Sequence, residues 1–290
     1  MRELVVLSGK GGTGKTSIVG SLAALAQSKV LADCDVDAAD LHLLLGPSIK
    51  EDNEFWSGQV AVIDENKCTQ CGLCQDVCRF HAISDFKVNP ISCEGCGFCS
   101  HICPAEAIAM KENLAGRWFI SDTKYGTLVH AKLGIAQENS GKLVALVRQQ
   151  ARQIANNEER DLIISDGPPG IGCPVISSLS GASLALLVTE PTLSGIHDLE
   201  RVLGVCQHFG VQPLVCINKY DINEENSHKI ESYCLNHGVK VAGEIPFDNV
   251  VTESIVRGVP VVEYSSGRVT QEIERMWRTL SGMLGNGSKG

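Results

Sequence analysis

Residues 8–16 read SGKGGTGKT and match the phosphate-binding pattern G-x-x-x-x-G-K-[ST]. The apolar run Leu4–Leu7 precedes this segment, and the helix-period segment Ile18–Ala26 follows it. A loop of this kind joins a buried strand to the N-terminus of a helix, where backbone N–H groups and the helix dipole favour an anion. The pattern therefore predicts an α/β fold with a phosphate site at the end of its first strand.

The rest of the chain outside residues 64–112 also alternates between strand and helix patterns. Four apolar runs have strand length, namely Leu4–Leu7, Leu162–Ile164, Leu184–Val188 and Leu214–Ile217. Helix-period segments such as Gly141–Ala155 and Ile196–His208 lie between them. The pattern predicts a doubly wound, mostly parallel sheet that is buried on both faces. The segment Arg117–Leu133 is rich in β-branched and aromatic residues, which favours a hairpin.

Candidate phosphate and magnesium ligands follow from the loop and from carboxylates that end strands. The expected nucleotide-binding residues of the loop are Gly9, Lys10, Gly11, Gly12, Thr13, Gly14, Lys15 and Thr16. We expect Lys15 to reach the β- and γ-phosphates and Thr16 to ligate Mg²⁺. Asp33 and Asp166 are candidates for the Mg²⁺ shell. The alternative is a glycine-rich turn with a chance match to the pattern.

Lys10, directly after the first glycine, resembles the second lysine of the deviant Walker A motif of the MinD/ParA ATPases. The resemblance implies ATP hydrolysis by a nucleotide-sandwich homodimer, in which Lys10 touches the partner's ATP. It also implies that Asp35 orients the attacking water, although Asp37 and Asp40 lie nearby. A solvated loop lysine is the alternative for Lys10.

The sequence Asn218-Lys219-Tyr220-Asp221 fits N-K-x-D, which reads guanine in G-proteins. The MinD-like families, however, carry an asparagine at this place that contacts adenine. The resemblance therefore implies ATP as the nucleotide, with Asn218 at the base, and leaves GTP as the alternative.

A cysteine-rich repeat interrupts the α/β pattern. The chain has thirteen cysteines, and eight lie between Cys68 and Cys103 in two copies of C-x-x-C-x-x-C-x-x-x-C that are 25 residues apart. The repeat matches the bacterial ferredoxin run, in which the fourth cysteine of each copy serves the other cluster. This predicts one [4Fe–4S] cluster on Cys68, Cys71, Cys74 and Cys103, and a second on Cys93, Cys96, Cys99 and Cys78. Structural zinc is the rival.

The two copies differ after their fourth cysteine. Pro104 follows Cys103 as the ferredoxin pattern expects, whereas Arg79 follows Cys78. This arginine would place a positive charge near the second cluster or face solvent. The other five cysteines are scattered. Cys173 is a candidate redox or metal residue, with a small buried hydrophobe as the favoured alternative, and we expect Cys34, Cys206, Cys216 and Cys234 in the core.

We therefore predict an ATPase domain at residues 1–63 and 113–284, an inserted ferredoxin-like α+β domain at 64–112, and a disordered tail at 285–290. Clustered thiols without an export signal favour a cytoplasmic metalloprotein. The net charge of -9 disfavours non-specific nucleic-acid binding. An amphipathic segment at 273–284 is expected to pack on the sheet, with a membrane surface as the alternative.

Three functions fit these motifs. In the first, ATP-driven dimer closure gates electron transfer from the clusters to an unknown redox partner. In the second, the chain is a nucleotide-switched binding or positioning protein, and the insert serves docking or stability. In the third, it is a scaffold that assembles metal clusters for other proteins.

Overall fold

A computed structural model describes residues 1–135 and 139–286. The chain divides into two compact units. The first contains Met1–Asp52, Trp118–Ala131 and Ser140–Gly290, and the second contains Asn53–Arg117 and Lys132–Asn139. The predicted insertion at residues 64–112 lies entirely inside the second unit, which extends further on both sides.

The elements of both units are numbered together along the chain. The strands are β1 (Arg2–Ser8), β2 (Lys29–Asp33), β3 (Ser48–Ile63), β4 (Ile83–Ser84), β5 (Lys87–Val88), β6 (Ile108–Thr123), β7 (Gly126–Leu133), β8 (Leu162–Pro169), β9 (Leu184–Thr189), β10 (Pro213–Asn218) and β11 (Lys240–Ile245). The helices are α1 (Lys15–Leu25), α2 (Leu41–Leu45), α3 (Leu73–Asp76), α4 (Phe98–Ile102), α5 (Ser140–Asn157), α6 (Cys173–Leu179), α7 (Leu193–His208), α8 (Glu224–Asn236), α9 (Asn249–Val256), α10 (Val261–Tyr264) and α11 (Arg268–Asn286). A 3₁₀ helix covers Tyr220–Ile222.

The larger sheet of the described residues is mostly parallel, as the sequence predicts. Its strand order is β11-β10-β9-β1-β8-β2-β7-β6-β3. Pairing is parallel between β1 and both of its neighbours, between β2 and both of its neighbours, and along β9-β10-β11. Because parallel strands all end at the same edge, the loops after β1, β2, β8, β9, β10 and β11 meet there.

Side chains of β1 alternate between two cores. Leu4 and Val6 belong to the core that contains residues of α1 and α11, whereas Val5 and Leu7 belong to the core that contains residues of α6, α7 and α8. This alternation follows from the two-residue period of a strand. It explains why the strands read as continuous apolar runs rather than as alternating ones.

A buried ion-pair network crosses the start of β1. The carboxylate of Glu3 accepts hydrogen bonds from Arg148 Nε at 2.6 Å and from Arg148 Nη2 at 2.7 Å. Arg152 Nη2 donates to the same carboxylate at 2.8 Å, and Ser165 Oγ donates at 3.1 Å. Arg148 also donates to the carbonyl of Ser180 at 2.9 Å. The network therefore connects β1, β8, α5 and the end of α6.

Arg148→Ala is expected to destabilise the fold far more than Arg152→Ala. Only 4% of the Arg148 side chain is exposed, against 38% of the Arg152 side chain. Removing Arg148 leaves the buried Glu3 carboxylate under-compensated, which costs about 3–5 kcal/mol. Loss of the half-exposed Arg152 pair costs about 1 kcal/mol or less. Anaerobic chemical unfolding of both variants checks this difference, and equal losses would contradict it.

The second unit repeats its backbone with an offset of 25 residues. Gly72 (φ 83°) precedes α3 and Gly97 (φ 72°) precedes α4. The N–H of Asp64 donates to the carbonyl of Ala107 at 2.8 Å, and the N–H of Asn89 donates to the carbonyl of Ala82 at 2.7 Å. The first residues of each copy therefore form a backbone hydrogen bond with the last residues of the other copy. This exchange produces an approximate internal twofold relation.

Helix α11 continues to Asn286. It therefore includes residues 285 and 286, the first two residues of the segment that was predicted to be disordered. Residues 287–290 of that segment lie outside the described part of the chain. The helix packs its apolar face into the first core, where Ile273, Met276 and Leu280 are buried, as the sequence predicts. Within the described residues, we find no helix with the length and hydropathy to cross a membrane.

Candidate functional site

The phosphate-binding loop lies between β1 and α1, where the sequence predicts it. Gly12 and Gly14 adopt left-handed backbone conformations, with φ of 79° and 85°. Gly14 is the N-cap of α1, and a Cβ atom at Gly14 would lie 2.4 Å from Asn218 Nδ2. Glycine is therefore required here both by conformation and by space. A helix that starts without a capping side chain leaves its first N–H groups available to an anion.

Lys15 contacts one carboxylate from β8 and one from the loop that follows β2. Its ammonium lies 2.6 Å from Asp166 Oδ1 and 3.4 Å from Asp35 Oδ2, and the residue is only 6% exposed. Burial disfavours the charged ammonium, but the attraction of Asp166 and Asp35 outweighs it and raises the pKa of Lys15. The loop lysine and the two predicted carboxylates thus form one ion-paired group at the end of the sheet.

Asp33 is fully buried beside this group. Its carboxylate accepts hydrogen bonds from the backbone N–H groups of Asp35 at 3.1 Å and Leu41 at 3.2 Å. Burial, and then the nearby charge of Asp166, raise the pKa of Asp33 well above its usual value. One ammonium therefore faces three carboxyl groups, and an excess of buried carboxyl groups is an environment that a divalent cation would relieve.

The residues present fit a Mg²⁺–phosphate group. Asp33 and Asp166 supply oxygen donors, and Thr16 is half-buried at the start of α1. The hydroxyl oxygen of Thr13 is buried and has no hydrogen-bond partner among the described residues. Oxygen ligands of this kind suit Mg²⁺. An orphaned hydroxyl inside the loop is expected where a phosphate oxygen would be its partner.

Lys10 contacts the loop that follows β9. Its ammonium lies 3.2 Å from Thr192 Oγ1, 3.2 Å from Ser194 Oγ and 3.6 Å from Glu190 Oε2. Glu190 also binds the ammonium of Lys219 at 2.5 Å. Sequence reasoning did not identify Glu190 or Thr192. Their position directly after a buried strand was the available signal, because every such strand ends at this edge.

A cavity of about 190 Å³ adjoins the loop and includes the predicted base-contacting residue. Asn218 lines it and donates from Nδ2 to the carbonyl of Thr13 at 2.7 Å. The apolar lining comes from the end of β11, from the segment after it, and from α1, α9 and α11, namely Ile18, Ile245, Pro246, Phe247, Val251, Ile255, Val269 and Ile273. A mostly apolar slot next to a phosphate loop is suited to a purine base.

The second unit brings the eight clustered cysteines together in two groups of four. One cavity, of about 360 Å³, is lined by Cys78, Cys93, Cys96 and Cys99. A smaller one, of about 20 Å³, is lined by Cys68, Cys71, Cys74 and Cys103. These are the two ligand sets predicted from the sequence, and each contains one cysteine from the other copy.

Backbone hydrogen bonds reach the fourth cysteine of each copy. The N–H of Ala82 donates to Cys78 Sγ at 3.3 Å, and the N–H of Ala107 donates to Cys103 Sγ at 3.4 Å. Donors directed at sulfur stabilise thiolates and tune the potentials of iron–sulfur clusters. The cysteine sets and their hydrogen bonds therefore fit the chemistry of a thiolate-bound cluster. In the described chain, no three His, Cys, Asp or Glu side chains are arranged to hold a single metal ion.

The remaining cysteines divide as the sequence suggests, with one exception. Cys34, Cys206, Cys216 and Cys234 are buried in the first unit. Cys173 is exposed at the start of α6, so the prediction of a small buried hydrophobe is wrong for this residue. The helix turns the side chain outward because Val175 and Leu179 occupy its buried face.

Comparisons with known proteins agree on one family over most of the chain. Residues 4–261 match the CobQ/CobB/MinD/ParA nucleotide binding domain. An uncharacterized protein of Methanocaldococcus jannaschii is 35% identical over 96% of both chains. The septum site-determining protein MinD of Thermotoga maritima is 24% identical over 96% of this chain and 88% of its own. The Pyrococcus horikoshii MinD structure with Mg-ADP has a TM-score of 0.60 at 20% identity, and the match covers 100% of this chain and 99% of that one.

Proposed function

The chain belongs to the CobQ/CobB/MinD/ParA nucleotide-binding domain family, and from this we propose that it is a Mg²⁺-dependent ATPase that also carries two [4Fe–4S] clusters. The observation that carries the ATPase part is the ion-paired group of Lys15, Asp35 and Asp166 beside the glycine loop. The Pyrococcus horikoshii MinD structure, which has a similar fold, holds Mg-ADP, and this supports placing these groups around the phosphates of a nucleotide. We propose that the protein acts in the cytoplasm, where clustered thiols stay reduced.

The charged and polar residues of the site have distinct parts in the proposed hydrolysis. Lys15 exchanges part of its contact with Asp166 and Asp35 for the β- and γ-phosphates when ATP binds. Asp35, released from Lys15, then orients the attacking water. Thr16, Asp33 and Asp166 would hold Mg²⁺, which neutralises the charge of the phosphate oxygens. Asn218 lies at the base cavity, which supports adenine as the base together with the family relationship.

Lys10 is the proposed link between nucleotide and dimer. In the single chain it is neutralised by Glu190 and hydrogen-bonded by Thr192 and Ser194. We propose that it leaves these partners when a second copy approaches and contacts the ATP of that copy. A phosphate carries more charge than one carboxylate shared with Lys219, so the exchange is favourable only when nucleotide is present. ATP would therefore control dimer formation.

The two cysteine sets would hold the clusters, which would supply one-electron transfer. We propose that dimer closure is coupled to electron transfer to a protein partner. A second function, an ATP-switched positioning protein, is favoured by the similarity to septum site-determining MinD proteins. In that case the clusters would serve stability or docking. The scaffold function is less supported, because all eight clustered cysteines line the two cavities.

A redox titration with and without nucleotide separates the first two functions. Coupling is reciprocal, so a nucleotide that shifts a cluster potential must bind the reduced and oxidised protein with different affinity. We expect a non-hydrolysable ATP analogue to shift at least one potential, and a tenfold change in affinity corresponds to about 59 mV for one electron. ADP serves as the control that occupies the site without the γ-phosphate.

Potentials that stay constant with no nucleotide, with ADP and with the analogue would contradict coupling at equilibrium. Affinities for ATP that agree in both redox states would lead to the same conclusion. The positioning function would then be the better supported of the two.

A further inference from the structure

The aspartate of the N-K-x-D motif does not line the base cavity, although Asn218 and Lys219 of the same motif do. Asp221 is absent from the residues that line the cavity, whereas Phe247 and Asp248 line it. Asp221 Oδ1 instead accepts a hydrogen bond from the backbone N–H of Phe247 at 2.7 Å. The aspartate of the motif thus contacts the segment that forms one wall of the cavity.

The other two polar residues of the motif are also bonded to protein groups. Asn218 donates to the carbonyl of Thr13 in the phosphate loop, and Lys219 binds Glu190. A carboxylate reads guanine by accepting from its N1–H and its 2-amino group, which requires oxygens that face the base. One oxygen of Asp221 already faces Phe247. The motif therefore connects the parts of the nucleotide site to one another.

The hydrogen bond to Asp221 holds the backbone of Phe247 next to the base cavity. Phe247 lines the cavity, yet 52% of the residue is exposed, so neighbouring side chains hold its ring only partly. The backbone is fixed on one side by Asp221 and on the other by Asp248, which accepts from the N–H of Val250 at 3.0 Å and caps α9. An aromatic ring that lines an apolar slot and whose backbone is fixed in this way can stack on a purine.

We propose that Asp221 is a positioning residue, which holds Phe247 by its backbone so that the ring stacks on the nucleotide base, and that Asp221 does not read the base itself. The inference rests on the proposed nucleotide site. It assigns the binding energy of the base to stacking on Phe247. It also separates this chain from proteins in which the same four-residue motif selects guanine.

The test measures nucleotide binding by the full-length, anaerobically purified protein with Mg²⁺. Asp221→Ala is expected to weaken ATP binding roughly tenfold, because a charge-assisted hydrogen bond to the segment is lost. Binding of tripolyphosphate, which has no base, should not change. Asp221→Asn should restore ATP binding, since its amide oxygen can accept the same N–H. Phe247→Ala should weaken ATP binding to a similar degree, and the double variant Asp221→Ala/Phe247→Ala should lose little more.

Xanthosine triphosphate provides the opposing outcome. Xanthine carries a carbonyl in place of the 2-amino group of guanine, so an amide at position 221 that read the base would gain affinity for it. A gain of xanthosine triphosphate binding by Asp221→Asn would overturn the inference, as would an equal loss of ATP and tripolyphosphate by Asp221→Ala. Wild-type protein that binds no nucleotide at all would instead contradict the proposed function.

Discussion

Protein isolated without oxygen is expected to contain about eight iron and about eight sulfide per chain, because each cysteine set is complete for one [4Fe–4S] cluster. Replacing one ligand should remove one cluster and leave about four iron on the chain. Cys96→Ser tests the larger cavity and Cys71→Ser the smaller one, since both cysteines are exposed and their replacement perturbs packing little. Iron and sulfide analysis with electron paramagnetic resonance of the reduced protein provides the measurement.

Cys78→Ser distinguishes the crossed ligand sets from uncrossed ones. Because Cys78 lines the cavity of Cys93, Cys96 and Cys99, its loss should remove the same signal as Cys96→Ser. Loss of the signal removed by Cys71→Ser would instead indicate that each copy holds its own cluster. Cys173→Ser is the matched control, since this cysteine is exposed and lines neither cavity. Stoichiometric zinc without sulfide would remove the ferredoxin interpretation.

Lys15→Ala is expected to lower ATP hydrolysis about 100- to 1,000-fold, as does the loss of a main charge-stabilising donor at a transition state. It should also weaken ATP binding, because the three neighbouring carboxyl groups then repel the phosphates. Asp35→Ala should lower hydrolysis to a similar degree but retain bound ATP, since only the orientation of water is lost. Phosphate release and equilibrium binding of labelled ATP measure the two effects separately.

Asp37→Ala is the matched control for Asp35→Ala, because Asp37 is an exposed carboxylate two residues away. Lys15→Arg keeps the charge and guards against the possibility that Lys15→Ala fails to fold. Sedimentation with Mg²⁺ and ATP should show a dimer that accumulates in Asp35→Ala and disappears in Lys10→Ala. Normal hydrolysis by a monomeric Lys10→Ala protein would contradict the role proposed for Lys10.

Short sequence motifs were sufficient to predict the elements that a few neighbouring residues determine. The strand at Leu4–Leu7, the phosphate loop and the start of α1 were readable because a glycine loop between a strand and a helix is recognisable within twenty residues or so. The grouping of Cys78 with Cys93, Cys96 and Cys99 was readable because the repeat matches a known ligand pattern, and these four cysteines do line one cavity.

Contacts between segments that are distant in the sequence could not be predicted from the sequence. Glu3 looked like one more charged residue near the N-terminus, although it is buried by Arg148 and Ser165, which lie more than 140 residues away. The bond from Phe247 to Asp221 depends on how two loops meet at the edge of the sheet. The lengths of β3 and β6 were also not predictable, because the mixed polarity of these long strands gives no periodic signal.

The exchange of hydrogen bonds between the two copies of the cysteine repeat bears on how such a domain can originate. Each copy contributes three cysteines to one cavity and its last cysteine to the other cavity, so a single copy contains no complete set of four cysteines. An ancestor with one copy would have needed a second chain to close both sites, and would have been an obligate pair. After duplication of the repeat within one chain, the two copies are covalently linked, and two separate molecules no longer have to associate. A folding partner is thereby guaranteed at any protein concentration.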